Sequence, residues 1–153
     1  TAPQQYRLES SLKQGRSESV DLFVSEVYVL RQKGRHSMSQ TLAKPVVQFL
    51  EKLQATGGLK GTDIANFTGV SKATVSRWAS GQKSPHPKTQ LIMSDLAYVV
   101  MRLSEYYNEE ETRAWLYARH PQLDGRRAID LVHDERADEV LAIIDRLDAD
   151  AYL

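Results

Sequence analysis

Ile92, Leu96, Val99, Val100, Leu103 and Tyr107 recur every three or four residues after Pro87. That spacing gathers them on one side of a helix but scatters them over both faces of a strand. A stripe of this length must be covered by other elements, so it constrains everything around it. The period returns twice. Val46, Phe49, Leu50 and Leu53 follow Pro45, a residue suited to a helix's first turn, and Gly57-Gly58 stops the run. Ala137, Val140, Leu141, Ile144 and Leu147 form a third stripe, in a helix expected over residues 135–148.

Shorter helices fit between these. One is expected from Thr62, an N-cap residue type, through Phe67. Another opens at Asn108, where Glu111 completes a capping box and Glu109, Glu110 and Glu111 meet the positive end of the helix dipole. It carries Trp115 and Leu116, and Pro121 and Gly125 end it. His133-Asp134-Glu135 reads as a helix start capped by Asp134. No repeat and no βαβ alternation is visible. The expected fold class is all-α, with an extension over residues 1–44 whose structure the sequence leaves open. Residues 1–19 are polar. Residues 20–30 suit a helix face through Val20, Phe23, Val24, Val27 and Tyr28, and equally an irregular strand.

No apolar run approaches the ~18–20 residues that span a bilayer, and there is no cysteine for disulfide or thiolate chemistry. The expected location is the cytoplasm, with no membrane partner. The formal net charge is zero, yet residues 1–59 carry +3, residues 60–94 carry +4 and residues 95–153 carry −7. A basic front and an acidic back suit two surfaces with different partners.

Enzyme chemistry finds no support. His36, His86, His120 and His133 make no HExxH pattern. His120, Asp124 and Asp130 fit turn positions better than a metal site. No glycine-rich phosphate loop and no nucleophile elbow is present. The chain is read as a non-enzyme without metal or cofactor.

The basic segment holds Thr-Gly-Val-Ser-Lys-Ala-Thr-Val-Ser-Arg-Trp-Ala-Ser-Gly-Gln-Lys-Ser-Pro, from Thr68 to Pro85. It meets the demands of a helix-turn-helix. Ala65 is small where two helices cross, Gly69 tolerates positive φ in the turn, and Ser71 caps the second helix. Val75 and Trp78 face inward with Ile64 and Val70, leaving Lys72, Ala73, Ser76, Arg77 and Ser80 outward. Arg77 suits a bidentate contact to guanine, and Ala73 permits close approach or touches a thymine methyl. Ser71, Thr74, Lys83 and Lys88 suit phosphates. No acid interrupts residues 72–88. One such head reads a half-site, so two copies, a homodimer or larger assembly, are expected on operator DNA.

Gly69-Val-Ser-x-x-Thr-Val-Ser-Arg-Trp-x-x-Gly81 resembles the Xre-type helix-turn-helix. Later stretches narrow the resemblance: Leu91-Ile, Leu96-Ala-Tyr-Val, Trp115-Leu, Pro121-x-Leu-Asp-Gly125, Asp130-Leu-Val and Val140-Leu-Ala-Ile-Ile-Asp. Their order and spacing are similar to the Xre/MbcA/ParS antitoxins. One departure is Ala128, which stands near a usual proline of the family. The resemblance covers roughly Val46 to Leu153 and implies a DNA-binding domain over 45–90 and a toxin-binding domain over 91–153; the N-terminal extension over residues 1–44 is not explained by it. It implies an antitoxin of a type II toxin–antitoxin pair. The partner would be a RES-domain toxin that consumes NAD, either an ADP-ribosyltransferase or an NAD-degrading enzyme, in a hetero-oligomer with the antitoxin. The antitoxin would also repress its own operon.

On that reading the toxin-binding set is Trp115, Leu116, Arg126, Arg127, Asp148, Asp150, Ala151, Tyr152 and Leu153. Residues 149–153 would plug the NAD pocket. Asp148, Asp150 and a terminal carboxylate would match a cationic pyrophosphate site, and Tyr152 and Leu153 would supply apolar area. The alternative is a stand-alone helix-turn-helix repressor whose acidic half senses a ligand or protein.

Overall fold

The computed structural model describes residues 43–150. The ambiguous segment 20–30 and the terminal Ala151, Tyr152 and Leu153 lie outside the described residues, as does most of the extension.

Seven α-helices form the described part: α1 (Ala43–Gly57), α2 (Gly61–Thr68), α3 (Lys72–Ala79), α4 (Pro87–Leu103), α5 (Glu109–Tyr117), α6 (Ala128–His133) and α7 (Ala137–Asp150). Between α5 and α6 a two-stranded antiparallel ribbon, β1 (Arg119–His120) and β2 (Arg126–Arg127), pairs Arg119 with Arg127 and His120 with Arg126. A 3₁₀ turn at Pro121–Leu123 joins the strands.

The three stripes meet in one core. Val46, Phe49, Leu50 and Leu53 of α1 are buried, as are Leu96, Val99, Val100 and Leu103 of α4 and Val140 and Ile144 of α7. α4 packs on α1, α6 and α7, and α1 also meets α3 and α5. The boundary expected at residue 90 therefore falls inside α4, a helix whose buried face serves both halves. Gly58 marks how closely these pieces approach. It sits at φ 62°, and a Cβ there would stand 2.8 Å from the carbonyl oxygen of Glu109, so a side chain would push α5 away.

Boundaries differ from expectation where side chains intervene. α2 starts at Gly61, ahead of Thr62, because the Asp63 carboxylate accepts the Lys60 N–H at 2.8 Å and supplies the cap from within the first turn. α4 stops at Leu103, short of Tyr107. The Ser104 hydroxyl bonds the Met101 carbonyl at 2.6 Å, and Tyr106 and Tyr107 fold back onto the Leu103 carbonyl. His133 ends a helix rather than starting one. Asp134 is the C-cap of α6, and Glu135 at φ 62° turns the chain into α7. The capping box at Asn108 is formed: its side chain accepts the Glu111 N–H at 2.9 Å, and Glu111 accepts the Asn108 N–H at 2.8 Å.

Candidate functional site

Two surfaces differ in how they are built. The first is made by α2, a turn and α3. The chain leaves α2 through Gly69 at φ 75° and ψ 24°, whose N–H donates to the Ala65 carbonyl at 2.9 Å. Ser71 is extended, and its hydroxyl oxygen accepts the Thr74 N–H at 3.1 Å, which starts α3. Ile64, Ala65, Val75 and Trp78 are buried, and Val70 packs against them. The other side of α3 is open: Lys72, Ala73, Ser76 and Arg77 are exposed, and Thr74 is half-buried beside Ser71. Lys83 and Lys88 are exposed on the connection to α4 and its first turn.

That surface is free of its own acid. Asp63 is the sole carboxylate among residues 60–94, and it is buried. Its Oδ1 accepts from Arg113 Nη2 at 3.0 Å and from the Tyr117 hydroxyl at 2.8 Å. Burial pushes the Asp63 carboxyl up. The Lys60 N–H, the Tyr117 hydroxyl and Arg113 outweigh it and hold the group below its ordinary value. Burial and the bond to that carboxylate together push the Tyr117 phenol up to about 12.

The second surface lies on the acidic half. The structure distributes its expected contact residues unevenly. Trp115 is half-buried, its indole 4.3 Å from the His120 ring, whose Nε2 also meets the Trp115 carbonyl at 2.8 Å. Leu116 is fully buried, so it packs the core and offers no surface. Arg126 pairs with Asp134. Arg127 bonds Asp130 through Nε at 2.7 Å and Nη2 at 2.8 Å, and lies 5.6 Å from the Tyr117 ring. Through β1–β2 pairing, Trp115, His120, Arg126 and Arg127 share one region.

Asp148 is placed differently. Arg102 is buried on α4, and its guanidinium bonds Asp145 at 3.1 Å and Asp148 at 2.5 Å. Asp148 therefore neutralises an internal arginine, which α7 must do to pack on α4. Asp150 is exposed at the end of α7. Sequence reasoning did not single out Arg102, Asp63, Arg113 or Tyr117. Arg102 did carry a signal, since it falls within the apolar run of α4 between Met101 and Leu103.

Among the described residues no group of three or more His, Cys, Asp or Glu stands together to hold a metal ion, and no helix is long and apolar enough to cross a membrane.

Residues 102–149 match the antitoxin Xre/MbcA/ParS C-terminal toxin-binding domain, so the acidic half is of the helical antitoxin class. The mycobacterial cidal antitoxin MbcA of Mycobacterium tuberculosis is 30% identical over 106 residues, 69% of this chain and 90% of MbcA. MbcA of Mycobacterium bovis matches to the same extent. A probable mycobacterial cidal antitoxin of M. tuberculosis is 28% identical over 96 residues, 63% of this chain and 82% of its own. In three dimensions the chain resembles one in the crystal structure of the M. tuberculosis MbcT–MbcA toxin–antitoxin complex. The TM-score is 0.57 at 30% identity, covering 70% of this chain and 93% of that one. The chain belongs to the Xre/MbcA/ParS antitoxin family.

Proposed function

We propose that this antitoxin neutralises a RES-domain, NAD-consuming toxin through its acidic half and represses its own operon through α2 and α3. The observation that carries the first part is the match of residues 102–149 to a toxin-binding domain, together with the likeness to a chain of the MbcT–MbcA complex. Trp115, Arg126 and Arg127 supply aromatic and guanidinium groups of the kind that anchor interfaces. Asp148 is held by Arg102, so the charge that meets the NAD pocket comes from Asp150 and the residues beyond it. Residues 149–153 enter that pocket and exclude the substrate.

The DNA-reading part is supported by the exposed, acid-free face of α3 and its basic flanks. Lys72, Ala73, Ser76 and Arg77 are the groups offered to a major groove, and Ser71, Thr74, Lys83 and Lys88 are offered to phosphates. Two antitoxin copies in the toxin–antitoxin assembly would present two such heads to an operator.

The test is co-expression with the cognate toxin, followed by purification and an NAD-consumption assay. The full chain should co-purify and silence NAD loss. Deleting residues 149–153 should leave the complex intact while NAD loss returns. A truncated chain that silences the toxin fully would remove the plug. Failure of the full chain to bind would remove the whole reading.

A further inference from the structure

The two surfaces are tied together through α2. At its start Asp63 receives the N–H of Lys60, the residue just before α2, and bonds from Arg113 and Tyr117 of α5. The Tyr117 ring lies 4.8 Å from the Arg113 guanidinium and 5.6 Å from that of Arg127. At the other end of α2 the Phe67 carbonyl lies 2.7 Å from His133 Nδ1 of α6, and the two rings meet edge-on at 5.8 Å. Both ends of α2 are thus gripped by residues within 102–149, the segment matched to toxin binding. Gly69, Val70 and the Ser71 cap are all that joins α2 to α3, and the two helices pack on each other.

We propose that Asp63 is a positioning residue that couples toxin docking to DNA reading: the grip of Arg113 and Tyr117 on its carboxylate sets the outward face of α3, and a toxin bound beside that grip changes it. The inference rests on the antitoxin reading above. Its physical basis is adjacency. Trp115 is on the same helix as Arg113 and Tyr117, and Arg127 lies against the Tyr117 ring and bonds Asp130. A toxin acid that draws Arg127 away changes the charge beside Tyr117, and hence the bond Tyr117 makes to Asp63. Coupling of this kind is reciprocal, so DNA must alter toxin affinity by the factor with which toxin alters DNA affinity.

The experiment measures binding of the full chain to a duplex from upstream of its own coding sequence, with and without a catalytically inactive toxin. Toxin binding is then measured with and without the duplex. In the wild type the two ratios should agree and differ from one by about fivefold or more. D63N and Y117F should each bring the ratio close to one while both single binding steps persist. Y117F removes one hydroxyl, so it reports even where D63N folds poorly. A toxin that merely bridges two antitoxins would raise avidity equally in all three proteins. An unchanged ratio in the variants therefore overturns the coupling, as does a wild-type ratio of one. Loss of either binding step in the wild type overturns the antitoxin reading and the coupling with it.

Discussion

Arg77 and Lys83 are both exposed cations, yet on the proposed DNA-reading function their surroundings would give them different work. Arg77 stands on the outward face of α3 with Ala73 and Ser76, where a groove would bring base edges. Lys83 lies beyond the helix, on the connection to α4, where phosphates would pass. Arg77→Ala should cost about 1–3 kcal/mol at the operator and relax specificity at one position. Lys83→Ala should weaken binding to all sequences alike and lower the salt slope by about 1. Titrations of matched and scrambled duplexes at several salt concentrations separate the two, and identical behaviour would void the assignment. Gly69 makes the turn that leads into α3. Its backbone is left-handed, and a Cβ there would meet nothing within 4 Å. Gly69→Ala should therefore cost about 1–2 kcal/mol through conformation alone, read as a lowered denaturation midpoint with an unchanged m-value.

Elements formed where their signal repeated. α1, α4 and α7 each span several turns, so a 3.6-residue period had room to show. α5 announced itself through its cap rather than its period. Asn108→Ala removes half of that box and should destabilise the chain by about 1 kcal/mol, while Glu109→Gln, with no cap bond to lose, should cost less; thermal melts of the two compare them directly. What stayed hidden was too short or too distant. α6 runs only from Ala128 to His133, and the ribbon strands have two residues each, so neither builds a pattern. Ala128 is the first residue of α6, a position where proline is also tolerated, so the departure from the family pattern leaves that helix start intact. The outward face of α3 was legible because one helix carries all of it. The Asp63–Tyr117 and Arg102–Asp148 contacts join residues 54 and 46 apart. No local period encodes such pairs, and Asp148 read as a charge offered to the toxin for that reason.

On the scale of the molecule, one core encloses two compensated charges, Asp63 and Arg102, and each binds a different part of the chain to its neighbour. Their chemistry sets how stability should depend on pH. The folded state holds the Asp63 carboxyl below its ordinary value, so it favours the ionised form. The stabilisation is present above the unfolded value of about 3.9 and is lost as pH falls through the lower folded value. Tyr117 acts in the opposite sense. Folding favours its neutral phenol, so its contribution is complete below about pH 10, the unfolded value, and is lost as pH rises through about 12. Denaturant midpoints measured from pH 3 to pH 12 should form a plateau that falls at both ends. Y117F should flatten the alkaline fall and leave much of the acid one, because Arg113 and the Lys60 N–H still serve Asp63. D63N should flatten the acid fall and soften the alkaline one, since the phenol then has no carboxylate beside it. An alkaline limb identical in wild type and Y117F would show that Tyr117 does not hold α5 to α2.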